Sequence, residues 1–206
     1  VREKITNKTK AIMYVGMGGN IGNIREIKWI CEEHGLKLIL DAAHMAGTYT
    51  KDMSPDGSAY AISHTGYEAD VSIFSFQAVK NLPTADSGMI CFKDEKYDKL
   101  VRQLSWLGID KDTYSRSDDK GSYKWRYDVP NLGFKYHGNS IMASIGLVQL
   151  KYLDDDNDYR NKVASWYEEL IEKSEISDKI KLVPISWSTE KSSRHLFQII
   201  VDENKR

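Results

Sequence analysis

Four short apolar runs, at residues 11–15, 36–40, 70–76 and 88–92, punctuate the first half of this 206-residue chain. Between the first two, Ile24, Ile27, Ile30 and Cys31 recur at helical intervals, and Gly35 is a natural stop for that helix. Residues 96–104 read as a helix after the fourth run. Short apolar runs ended by glycine or aspartate read as buried strands. Strands that alternate with helices imply an α/β domain with a mostly parallel sheet, because parallel neighbours need a crossover between them.

The remaining pattern is less regular. Residues 51–66 read as a long polar loop, and residues 110–129 as a polar, charged and aromatic surface excursion of the kind that often carries function. Aromatic residues Trp106, Tyr123, Trp125 and Tyr127 cluster around that excursion, where packing is the better reading than contact with a sugar or base. Asn139 or Ser140 is placed to cap a helix with Ile141, Ile145, Val148 and Tyr152 on one face. Residues 154–158 form an acidic break, after which Asp158 opens a helix carrying Val163, Trp166, Tyr167, Leu170 and Ile171. Residues 179–183 and 195–201 read as strands. A boundary near Leu153 therefore separates a large domain (1–153) from a smaller α+β unit (154–206).

Composition narrows the function. Twenty-nine basic and thirty acidic residues leave a formal charge of −1, so no global basic field is present to hold nucleic acid or an anionic membrane. The apolar runs are too short to cross a bilayer. Cys31 and Cys91 stand far apart and match no metal-ligand spacing, which reads as two reduced thiols in a cytoplasmic protein. His34 and His64 have no metal-partner spacing either, so no metal site is expected. The first residue is Val1, which suggests a processed chain or a fragment.

Two motifs compete for the first strand–helix–strand unit. Gly16, Gly19 and Gly22 follow a strand and precede a helix, and Asp41 ends the next strand, which is the layout of a nicotinamide-dinucleotide site. The stricter G-x-G-x-x-G form fails at Ile21, and none of the twelve tyrosines has a lysine four residues later, as a short-chain reductase would need. The second reading joins Asp41, Ser75 and Lys80, all expected at the carboxyl ends of adjacent strands, where open α/β sheets bind ligands. A lysine can hold pyridoxal phosphate as a Schiff base, a carboxylate can keep its pyridine nitrogen protonated, and a nearby hydroxyl can reach its phosphate.

Five segments strengthen the second reading: Thr9-Lys10-Ala11-Ile12, Glu33-His34-Gly35-Leu36-Lys37, Asp41-Ala42-Ala43-His44, Phe74-Ser75-Phe76 with Lys80-Asn81, and Gly133-Phe134-Lys135-Tyr136 followed by Ala143-Ser144-Ile145-Gly146-Leu147. Together they resemble the DegT/DnrJ/EryC1/StrS family of aminotransferases acting on nucleotide-linked keto-sugars. The resemblance implies a type I aminotransferase-like fold and pyridoxal 5'-phosphate as cofactor. It also implies glutamate as amino donor and a homodimer with shared active sites. On it, Lys80 is the Schiff-base lysine, Asp41 the partner of the pyridinium nitrogen, and Ser75 a phosphate ligand. His44 falls where the family often has glutamine against the cofactor. Lys135 stands where an asparagine reaches the neighbouring protomer's phosphate. His137, Asn139 and His195 are weaker substrate-binding candidates. Relatives with histidine in place of the lysine dehydrate sugars, so Lys80 favours transamination over that alternative. Against the family, the chain reads as the middle of a longer enzyme, with the start of the large domain and the end of the small one missing.

Overall fold

The computed structural model describes residues 1–53, 60–110 and 127–205. Its centre is a four-stranded sheet of order β1-β2-β5-β6, made from β1 (Ala11–Val15), β2 (Lys37–Asp41), β5 (Val71–Ser75) and β6 (Gly88–Phe92). The first three strands are parallel and β6 is antiparallel to β5, so the sheet is mixed but mostly parallel, as the alternation predicts. Helix α1 (Ile24–Glu33) supplies the crossover from β1 to β2.

The strand period places the core. Leu38, Leu40, Ser72 and Phe74 lie on one face and pack with Ile24, Ile27, Ile30 and Cys31 of α1. On the other face Val15, Asp41, Ile73 and Ile90 fall in register, a row across all four strands. Val15, Ile73 and Ile90 of this row are exposed, as is Met13 nearby. A carboxylate in an otherwise apolar row is the first structural sign of a site.

One expectation about the loops needs correction. The predicted polar loop over residues 51–66 is in its described part a hairpin, formed by β3 (Tyr49–Met53) and β4 (Tyr60–His64). The hairpin pairs with β8 (Thr189–Lys191), a three-residue polar strand with no recognisable pattern, so the sheet order is β4-β3-β8. Of the predicted excursion over residues 110–129, residues 111–126, with Tyr123 and Trp125, lie outside the described residues.

The helices follow their caps. In α2 (Glu95–Ser105) the Asp94 side chain accepts from the Lys96 N–H at 3.0 Å. In α3 (Ser140–Gln149) Asn139 is the cap, accepting from Met142 N–H at 3.0 Å. Helix α4 begins at Leu153 and runs to Glu172, so the acidic segment is not a break but its first turns. Three aspartates there sit on the positive end of the helix dipole, where anions stabilise. Beyond it, β7 (Ile180–Leu182) and β9 (Ile199–Val201) form a small antiparallel sheet.

Among the ties of the segment after Leu153 to the preceding residues are the β3–β8 pairing and Asn157, which is fully buried in α4. Asn157 Nδ2 donates to the Ala46 carbonyl at 3.1 Å. Gly47 makes this approach possible: its φ is +75°, and an added Cβ would lie 2.3 Å from Asn157 Nδ2. Gly47→Ala is expected to cost about 2 kcal/mol from backbone strain and displacement of the amide, read as a lowered urea unfolding midpoint.

Candidate active site

Asp41 and Ser75 end the neighbouring strands β2 and β5 on the face opposite the core, since Asp41 pairs with Ile73 and Ser75 follows two residues later. The chain then turns: Phe76 N–H donates to the Ser87 carbonyl, and Lys80 N–H to the Gln77 carbonyl at 2.9 Å. That turn carries Lys80 back to the same end of the sheet, half-buried. Both the Lys80 ammonium and the Asp41 carboxylate act on the titration of His44. The three residues joined by sequence reasoning thus gather at one edge.

Their polar groups are largely uncommitted. One Asp41 oxygen accepts from Ala43 N–H at 3.0 Å, and the other has no hydrogen-bond partner among the described residues. Ser75 Oγ accepts a long 3.5 Å contact from Gln77 N–H, which leaves its own proton free to donate. Lys80 makes no ion pair with any described residue. A half-buried lysine without an acid, an aspartate with a free oxygen and a serine with a free proton suit an aldehyde, a pyridine nitrogen and a phosphate respectively.

The glycine turn has a different task from the one its spacing suggests. Gly18 N–H donates to His44 Nδ1 at 3.3 Å. At Gly19 (φ +91°) an added Cβ would meet the Arg194 nitrogen at 2.6 Å and the Ser192 and Ser193 hydroxyls at 2.7 Å. Ser192 Oγ donates to the Gly19 carbonyl at 2.8 Å. The room that a dinucleotide reading would give to pyrophosphate is occupied by residues 192–194 of the chain itself.

This return of the chain also brings in His195. Its ring lies against His44, with centroids 4.4 Å apart and planes 35° from parallel. Its Nδ1 is 2.7 Å from Asn81 Oδ1. Burial, followed by the neighbouring His44 and Lys80, pushes the His195 imidazole down to about 4. Burial and then Lys80 also lower His44, against a raising effect of Asp41. Asn81, Asn157 and Ser193, the buried supports of this pair, escape sequence reasoning. The only available signal was that Asn81 directly follows Lys80.

Because these histidines bind protons less readily folded than unfolded, they contribute stability above pH 6.5, and it is lost as pH falls from 6.5 towards 4. The urea midpoint at pH 5 should therefore lie below that at pH 7.5. His195→Gln should flatten the difference.

The other candidates lie elsewhere. Lys135 Nζ sits 3.7 Å from the centroid of the Trp106 ring and 3.1 Å from His137 Nε2. The His137 ring meets Trp106 edge-on at 4.0 Å. Burial and then Lys135 lower the His137 imidazole. Among the described residues no hydrogen bond or ring contact joins this trio to Lys80, and Asn139 is engaged as the α3 cap.

Comparison with known proteins decides the lineage. The family model described as the DegT/DnrJ/EryC1/StrS aminotransferase family matches residues 1–206. The chain belongs to this family. The family is pyridoxal-phosphate-dependent, and one structural neighbour, NtdA from Bacillus subtilis, was solved with bound cofactor PMP. NtdA is 27% identical, with a TM-score of 0.77 over all of this chain and 41% of its own. The aminotransferase TlmJ from Streptoalloteichus hindustanus superposes with a TM-score of 0.81 at 28% identity, over all of this chain and 50% of TlmJ. Among curated relatives, the spore coat polysaccharide biosynthesis protein SpsC of Bacillus subtilis is 33% identical over 201 residues, 98% of this chain and 48% of SpsC. The chain spans about half the length of the curated relatives it matches.

Proposed function

We propose that this chain carries the cofactor-binding centre of a sugar aminotransferase that moves an amino group, from glutamate, to a keto carbon of a nucleotide-linked deoxysugar. The observation that carries the reading is that Asp41 and Ser75 end the neighbouring strands β2 and β5, with Lys80 on the turn that follows and His44 within electrostatic reach of Lys80 and Asp41. Family membership and the polysaccharide-biosynthesis name of SpsC support the sugar as acceptor.

Pyridoxal phosphate, when bound, supplies an aldehyde carbon that exchanges amines and a ring that takes up electrons. The chain's residues do the rest. Lys80 Nζ is the attaching amine, and once released it is the base that holds and returns a proton at the reacting carbon. Asp41 offers its free oxygen to a protonated ring nitrogen, and the charge pairing keeps that proton in place. Ser75 Oγ donates to the phosphate. His44, within electrostatic reach of Lys80 and Asp41, would help to hold the cofactor through its ring. In a homodimer, Lys135 adds a positive charge to the neighbouring protomer's phosphate, a role open to it because its ammonium rests on an indole face and not on a carboxylate. We place the large domain at 1–153 and the start of the small one at 154–206.

The test is spectroscopic. Protein mixed with pyridoxal phosphate should develop the visible-edge absorbance of the lysine-bound cofactor, and glutamate should convert it to the pyridoxamine form. Absence of the first band would sink the reading. The first band without conversion would leave a cofactor-binding protein that is not a glutamate-dependent aminotransferase.

A further inference from the structure

The hydrogen-bond network beneath Lys80 has a direction that can be deduced atom by atom. The Ser193 carbonyl can only accept, so the Asn81 atom 2.7 Å from it is the amide nitrogen. The same nitrogen is 2.6 Å from Asn157 Oδ1. Asn157 is oriented independently, because its own nitrogen faces the Ala46 carbonyl at 3.1 Å. Both hydrogens of the Asn81 amide are thereby used, and its Oδ1 is an acceptor. His195 Nδ1, 2.7 Å from that oxygen, must carry a hydrogen. With Asn81 8% exposed and Asn157 fully buried, reversing either amide would set oxygen against oxygen without water to relieve it.

We propose that Asn81 is a positioning residue that holds His195 in its Nδ1–H tautomer, so that His195 Nε2 meets a ligand only as a hydrogen-bond acceptor, suited to a hydroxyl or an ammonium and not to an anionic oxygen. This inference rests on the reading of the Lys80 edge as the reaction site. His195 Nε2 has no protein partner among the described residues, and the side chain lines a cleft of about 510 Å³ shared with Tyr159, Arg160 and Tyr167. The adjacent ring has the opposite polarity. His44 Nδ1 accepts from Gly18 N–H, so neutral His44 carries its hydrogen on Nε2 and donates. Two adjacent imidazoles thus differ in polarity, one offering a donor and the other an acceptor, so a ligand hydroxyl or amine is accepted at His195 where a phosphate oxygen is not.

Long-range proton–nitrogen NMR spectra of the chain labelled with 15N-histidine, recorded without cofactor at pH 7, test this. Wild type should show His195 protonated at Nδ1 and bare at Nε2. Asn81→Ala should release it to a mixture of tautomers. A wild-type His195 protonated at Nε2 overturns the proposal, as does an unchanged tautomer in a folded Asn81→Ala. If Asn81→Ala does not fold, the wild-type spectrum decides alone, since Nε2 protonation there overturns the proposal. Failure here leaves the cofactor reading standing. Failure to bind pyridoxal phosphate would sink that reading and leave the tautomer result intact.

Discussion

Lys80→Ala abolishes the absorbance of lysine-bound pyridoxal phosphate and lowers transamination by roughly 10³-fold or more, the scale expected when an attaching amine and a proton carrier are lost together. The structure makes this substitution a clean one. Lys80 forms no ion pair with any described residue, so alanine removes no stabilising partner, and the turn from Phe76 to Lys80 is held by backbone hydrogen bonds that alanine retains. The far-ultraviolet circular dichroism and the urea midpoint should stay close to wild type. Borohydride treatment followed by mass spectrometry should add the cofactor's mass to wild type and none to the variant. A variant that still fixes the cofactor covalently would show that another amine holds it. A small exogenous amine should restore a fraction of the activity, since it can replace the function of Nζ without its tether.

The largest effect on stability is expected at Asn157. Asn157→Ala strips the Ala46 carbonyl of its donor, leaves one hydrogen of the Asn81 amide without an acceptor, and opens a void at a fully buried position. Each orphaned buried group costs about 1–3 kcal/mol, so the variant should lose about 2–4 kcal/mol in urea unfolding. Asn157→Asp should be no better, because a carboxylate oxygen would then face the Ala46 carbonyl. Asp158 provides the contrast. It pairs with Lys191 at 2.9 Å, but its side chain is 65% exposed. Asp158→Ala should change stability by less than about 1 kcal/mol. Two adjacent residues on one helix then differ severalfold in consequence, and a result with the order reversed would contradict the buried network.

Most of the central sheet was legible because its physics is local. The run at residues 11–15 and the run at 88–92 match β1 and β6, and the helical spacing of Ile24, Ile27 and Ile30 marks α1, whose buried face packs with Ile12 and Tyr14 of β1 and Cys91 of β6 in one core. The β3–β4 hairpin was read as a loop because its strands, Tyr-Thr-Lys-Asp-Met and Tyr-Ala-Ile-Ser-His, mix polar and apolar residues and gain their order from each other and from β8. The start of α4 was placed late because aspartates suggest a break, although at a helix N-terminus the dipole stabilises them.

The site divides in the same way. The sequence alone supplied the proposed chemistry: a lysine, an aspartate and a serine at or just after the ends of strands, in the order and spacing of an aminotransferase family. Residue type and strand position are local properties, and one chain suffices to read them. Only the tertiary structure decided the surroundings. Ser193 bonds to the His44 carbonyl across 149 residues, and His195 meets Asn81 across 114. Contacts so distant along the chain leave no periodicity to read. They exist because a left-handed glycine leaves room for residues 192–194, and because α4 delivers a buried amide to Ala46. Those two placements set which nitrogen of His195 carries its proton.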